Sequence, residues 1–227
     1  MGRHPMPAAS AVPRAERLYL AIRVYFRSCE RRDRIGRAIV SIEHNVDLRC
    51  HPSIRPEAVR AIGVLIRRSP TGELRMTFRL DGDVSRLRVP SPVEPSIGEK
   101  LWQHTCFETF IAVEGQSAYH EFNFAPSGEW TVYAFRGYRD GLPPANEMMR
   151  PQIVVRTDRS RLELDALVRL DVLSAAHQHA PLRIGLSAVV EANDGLSYWA
   201  LRHPRDKPDF HDAEGFALLL EAPGRAK

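Results

Sequence analysis

From Val59 to Leu220 the chain alternates apolar and polar residues with a period of two. A half-buried β-strand needs that spacing, because successive side chains leave opposite faces. Glu73-Leu-Arg-Met-Thr-Phe-Arg-Leu80 alternates without a slip, and Asp81-Gly82-Asp83 supplies turn chemistry after it. The same pattern predicts strands at 84–89, 104–113, 118–125, 129–136, 152–157, 161–170, 182–192, 197–202 and 216–221. Turn formers separate them, among them Glu114-Gly-Gln, Pro126-Ser-Gly-Glu, Thr157-Asp-Arg-Ser and Asn193-Asp-Gly-Leu. Helix is expected only at 170–180, with Asp171 as its cap, and as one turn near 99–103. Antiparallel strands without βαβ spacing predict an all-β fold: a two-sheet β-sandwich, jelly-roll-like, with a closed barrel as the alternative.

The N-terminal fifth breaks the pattern. Residues 1–16 are rich in proline and small residues and read as disordered. Leu18-Tyr-Leu-Ala-Ile-Arg-Val-Tyr-Phe26 resembles a signal core, but Arg23 interrupts it and Cys29-Glu-Arg-Arg-Asp-Arg34 stands where a cleavage site belongs. Methionine is absent between Met6 and Met76, so a start near Val46 is an alternative to the full chain. The expected division is a disordered or non-native extension at 1–45 and a folded domain at 46–227.

Charge supports that division and changes the choice of partner. The chain carries a net +4, yet residues 1–45 hold nine arginines against four carboxylates, leaving the remainder at −1. The body therefore has no electrostatic reason to bind nucleic acid. No run approaches the ~18 apolar residues that span a bilayer, so no integral membrane segment is expected. Three cysteines, Cys29, Cys50 and Cys106, without CxxC spacing fit a reducing cytoplasm.

Candidate chemistry sits where strands break their own apolar pattern. Glu108, Glu121 and Glu191 each place a carboxylate among aromatic or small residues, and a buried carboxylate needs solvent, a partner or a ligand. Asn123 shares a face with Glu121, and Arg183 is a candidate counter-ion for Glu191. The alternative is that these acids face water, paired with arginines across strands. Trp102, Trp130 and Trp199 lie at strand ends, and aromatic planes beside carboxylates and amides suit a sugar ring. Core filling is the competing use of each tryptophan.

Other chemistries leave weaker traces. His104, Cys106 and Glu108 offer metal-ligand types, but ~7 Å between i and i+2 on a strand resists one centre. His203 and His211 flank a loop, and Met148-Met149 with a histidine would suit haem, although no CxxCH occurs. No GxSxG, P-loop, HExxH or Rossmann glycine pattern is present. Glu108 and Glu121 across a hairpin would meet the ~5–9.5 Å carboxylate spacing of a glycosidase. The expected function is non-enzymatic binding of a carbohydrate or similar polar small molecule. Haem or divalent-metal redox binding and a hydrolase using Glu108 and Glu121 are the alternatives.

Leu101-Trp-Gln-His-Thr-Cys-Phe-Glu108, Tyr119-His-Glu-Phe-Asn-Phe-Ala-Pro-Ser-Gly-Glu-Trp130, Ser197-Tyr-Trp-Ala-Leu-Arg-His203 and Lys207-Pro-Asp-Phe-His211 together resemble the bacterial DOMON-like proteins. That group belongs to the superfamily of family-9 carbohydrate-binding modules and DOMON haem- or sugar-binding domains, and the resemblance spans roughly Val46 to Leu220. It implies a jelly-roll sandwich with a ligand site on one sheet or its rim, where a tryptophan pair clamps a saccharide. The expected site is therefore Trp102, Glu108, Glu121, Asn123, Glu191, Trp199 and His203 in one concavity, with no catalytic residue, metal or cofactor assigned.

Overall fold

The unbroken alternation at 73–80 becomes one of the most thoroughly packed strands of the protein. Leu74, Met76, Phe78 and Leu80 are buried, while Arg75, Thr77 and Arg79 look outward. In the computed structural model, which describes residues 42–142 and 147–223, eleven strands follow the sequence. They are β1 (Ile42–Cys50), β2 (Val59–Arg68), β3 (Glu73–Gly82), β4 (Cys106–Val113), β5 (Tyr119–Phe124), β6 (Trp130–Phe135), β7 (Gln152–Thr157), β8 (Arg161–Arg169), β9 (Leu182–Ala192), β10 (Gly195–Ala200) and β11 (Leu218–Leu220). One short helix, α1 (Ala175–His179), and several 3-10 turns complete the described residues.

All strands pair antiparallel, in the order β6-β5-β4-β9-β10-β1-β2-β3-β8-β7, with β11 added beside β9. The predicted pair of separate sheets is thus one continuous sheet, curled into a half-barrel. Its join is narrow: β1 meets β10 only at Arg49↔Ala200 and Cys50↔Trp199. The curl brings the two halves face to face. The Phe78 ring of β3 lies 5.1 Å from Phe107 of β4 and 6.5 Å from Phe124 of β5. Between them lies the main apolar core, to which β9 contributes Leu182, Ile184, Leu186, Ala188 and Val190.

Two local expectations are corrected. Residues 84–86 form a 3-10 turn rather than a strand, because the Asp83 carboxylate accepts from the Ser85 backbone N–H and caps it. Helix α1 is capped by Ser174, whose hydroxyl accepts from the His177 N–H, and not by Asp171, which forms an ion pair with Arg169. Strand β1 begins at Ile42 and so runs across the expected boundary at Val46, while residues 1–41 lie outside the described residues.

At one end of the core Arg68 is 1% exposed and has no carboxylate partner among the described residues. Its guanidinium donates to the carbonyls of Leu220, Glu221, His177, Gln178 and Ala180, tying α1 and the C-terminal strand to β2. Desolvation lowers its pKa to about 10.

Candidate functional site

Strand parity separates the chemistry from the core. On β4, Phe107 and Ile111 point inward, so Cys106, Glu108 and Phe110 point outward. Register then aligns the neighbours: Glu108 stands opposite Asn123 on one side and Ser187 on the other, while Glu121 stands opposite Phe110 and Tyr133. Glu108, Glu121, Asn123 and Ser187 therefore share the outer face of β4, β5 and β9.

This outer face is covered, and its acids are buried. Glu108 is 2% exposed and Glu121 5%. The Ser187 hydroxyl donates to Glu108 Oε2 at 3.0 Å, and the Asn123 amide donates to Glu121 Oε1 at 2.8 Å. The Cys106 thiol donates to Asn123 Oδ1 at 3.4 Å. Desolvation, then the charge of Glu121, push the Glu108 pKa up to about 8, against the hydrogen bond from Ser187. Burial raises Glu121 to about 7, with Asn123 and Arg139 opposing. The two carboxyl groups hold protons at pH values where an exposed acid is ionised.

Residues 209–216 lie over this face. His211 Nδ1 and the Tyr119 hydroxyl share a hydrogen bond at 2.9 Å, and His211 Nε2 stands 3.7 Å from Glu121 Oε2. Phe216 stacks on Phe110 with centroids 5.3 Å apart. That approach requires Gly185, since a Cβ there would lie 2.6 Å from the Phe216 ring. Beneath the cover only a gap of about 10 Å³ remains, lined by Phe110, Ser187, Ala200, Arg202, Phe210 and Gly215 among others. On the opposite flank Trp102, 40% exposed, meets Tyr133 edge-on at 5.8 Å. Tyr133 is half-buried, and burial together with Glu121 raises its pKa.

The expected seven residues divide. Glu108, Glu121 and Asn123 come together, and Trp102 stands at their rim through Tyr133. Glu191 lies on the same outer face but four residues along β9 from Ser187, ~13 Å at strand spacing. There it bonds His104 Nδ1 at 2.7 Å and Arg88 at 3.1 Å, which lowers its pKa. Arg183, the expected counter-ion of Glu191, instead pairs with Glu114 and donates to the Phe216 carbonyl. Trp199 is placed on the inner face: it aligns with Ala188, is 5% exposed, and belongs to the core. His203 is set apart from the carboxylates; it donates to the Arg49 carbonyl and packs edge-on against His51.

Four contributors were not among the seven: Ser187, Tyr133, His211 and Phe216. Ser187 had a signal, as a small polar residue on the outer parity of β9. Nothing in the irregular 209–216 stretch could indicate that it folds back over β4 and β5. Among the described residues no three His, Cys, Asp or Glu side chains gather to hold a metal ion, and no helix is long and apolar enough to cross a membrane.

No family model matches the sequence. No curated protein is similar enough to count as a relative. Among solved structures the chain is similar to a candidate carbohydrate-binding protein from Bacteroides uniformis, with a TM-score of 0.57 at 12% identity over 76% of this chain and 83% of that one. At that identity the likeness is one of fold alone.

Proposed function

We propose that this protein is a non-enzymatic module that binds a carbohydrate or similar polar small molecule on the outer face of β4, β5 and β9. The carrying observation is the buried Glu108–Glu121 pair with Asn123 and Ser187, edged by the exposed Trp102 against Tyr133. Carboxylates and an amide accept and donate to vicinal hydroxyls, and an exposed indole stacks on the C–H face of a sugar ring. The fold likeness to a candidate carbohydrate-binding protein supports the same reading. In this reading the curled sheet is a jelly-roll sandwich of DOMON-like type, working in a reducing cytoplasm, where the thiols of Cys50 and Cys106 stay free.

A glycoside-type hydrolase is the second reading, favoured by two neighbouring carboxyl groups whose proton affinity burial raises. Calorimetric titration with a panel of neutral and amino sugars, together with chromogenic glycosides, separates the two. Binding without turnover, weakened at least tenfold in Trp102→Ala, supports the module. Turnover abolished in Glu108→Gln supports the hydrolase, and no binding in any case rejects both.

A further inference from the structure

Beyond the two-residue join between β1 and β10 the sheet comes apart. From Ile42 to Leu48 strand β1 pairs with β2 alone, and β11 pairs with β9 alone. An open cleft of about 440 Å³ lies between β1 and β11, lined by Val46, Asp47, Arg49, Leu201, Ala217 and Leu218. That volume falls within the ~300–1,000 Å³ of ligand sites. Val46, Leu201 and Leu218 are half-buried and pack against the main core, so the floor of the cleft is apolar.

One wall of the cleft is an unpaired strand edge. The His51 N–H donates to the Tyr198 carbonyl, and the Arg49 carbonyl accepts from His203 Nε2. The backbone groups of the odd-numbered residues of β1 are therefore directed at β10 and away from β2. By strand alternation Glu43, Asn45 and Asp47 send their N–H and C=O groups the same way. Strand β10 ends at Ala200, opposite Arg49, so no strand reaches them. None of the three has a backbone hydrogen-bond partner on that side among the described residues. Three donors and three acceptors spread over ~14 Å of strand are a template for an added strand.

The side chains around the edge select the occupant. A strand laid beside β1 in line with β10 turns alternate side chains inwards, over Val46, Leu201 and Leu218, where valine, isoleucine or leucine fit. Its other side chains point outwards beside Glu43, Asn45 and Asp47. Glu43 is already paired with Arg67. Asp47 stands opposite Gly63, which offers it no side chain, and it forms no ion pair among the described residues. A lysine or arginine on the added strand would supply the missing cross-strand partner. We propose that the Glu43–Asp47 edge of β1 is a docking site for an extended peptide of another protein, in which apolar and basic residues alternate. The peptide runs antiparallel to β1, as β10 does, and its basic residues exchange backbone hydrogen bonds with Glu43, Asn45 and Asp47. This edge is separate from the carboxylate face, so the sugar-binding reading and strand addition fail independently.

The test is titration of the full chain, at low salt, with a capped peptide that alternates lysine and valine, with amide exchange resolved residue by residue. Without peptide, the amides of Glu43, Asn45 and Asp47 should exchange fast, while those of His44, Val46 and Leu48, bonded to β2, exchange slowly. Saturating peptide should slow the first three at least tenfold. Methylating the lysine backbone nitrogens, which are the ones aimed at β1, should weaken binding at least tenfold, whereas methylating the valine nitrogens should change it less than about threefold. Both comparisons use the unaltered protein, so misfolding of a variant cannot mimic them. Asn45→Pro removes one edge N–H without touching the bonds to β2, and should also weaken binding at least tenfold. No binding at about 1 mM peptide, indifference to lysine N-methylation, or equal binding when glutamate replaces lysine would overturn the proposal. Slow exchange of the three amides in the free protein, lost on dilution, would overturn it too by assigning the edge to a second copy of the chain.

Discussion

Glu108 and Glu121 sit diagonally across β4 and β5: each aligns with the residue two positions from the other, Glu108 with Asn123 and Glu121 with Phe110. Diagonal neighbours on one face lie ~7–8 Å apart, close enough that in a water-poor setting two charges cannot be held cheaply. The pair therefore keeps protons that water would have removed, and the cost of that arrangement should be measurable without knowing the ligand.

Glu108→Gln should stabilise the protein at neutral and alkaline pH. Glu108 is raised to about 8 in the folded state, from about 4.5 unfolded, so its contribution is fully present below about 4.5 and is lost as pH rises through 8. At pH 7.5 the removed penalty is on the order of 3 kcal/mol, since each factor of ten in proton affinity is worth about 1.4 kcal/mol. Glutamine still accepts from Ser187. Thermal unfolding should give a higher Tm for the variant at pH 7.5 and near-equality at pH 4.5. A lower Tm at both would show that the carboxyl group is structurally needed.

Glu191→Ala should cost less than about 1 kcal/mol, as exposed ion pairs usually do, rather than the ~3–5 kcal/mol of a broken buried pair. Its partners Arg88 and His104 both have side chains more than 60% exposed. Chemical denaturation at pH 7 measures the difference directly, and a loss above ~2 kcal/mol would contradict the exposed geometry.

Much of this organisation could be read from the sequence, and the failures have physical reasons. Period-two alternation found β2 to β11, because each turns one row of side chains towards the core. It missed β1, whose Ile42, Val46 and Leu48 do alternate with Glu43, Asn45, Asp47 and Arg49, since the basic residues before it hid the pattern. Alternation at 84–89 misled because a local bond from Asp83 outweighed it. Parity put Glu121 and Asn123 together and was right for Glu108, but residue type alone grouped Trp199 with Trp102. The two tryptophans separate only once the β9–β10 register is known. His211 depends on a long-range fold-back that no local period encodes.

The tryptophans should accordingly behave as opposites. Trp199 is a core residue whose indole N–H donates to Ser197, so Trp199→Ala should cost ~3–5 kcal/mol. Trp102 is 40% exposed, and Trp102→Ala should change stability by less than about 1 kcal/mol while removing the rim aromatic. Parallel denaturation curves decide it; equal losses would mean that Trp102 packs far more tightly than its exposure implies.

Gly185→Ala should loosen the cover formed by residues 209–216 by steric force alone. The new Cβ would lie 2.6 Å from Phe216 Cδ1 and 3.2 Å from Phe110 Cβ, and contacts under 3.0 Å require something to move. Phe110 is fixed within β4, whereas Phe216 belongs to the irregular cover, so Phe216 should yield. Overpacking of this kind costs ~1–3 kcal/mol. The inner face of β9 is untouched, because Ile184 and Leu186 keep their places in the core. Hydrogen exchange should therefore show reduced protection across residues 209–216, with β2 and β3 unchanged. If Phe216 is displaced while β11 stays paired and Arg68 still binds the Leu220 carbonyl, exchange at 218–220 should remain slow. Fast exchange through 218–220 would mean that the cover and the C-terminal strand open as one unit.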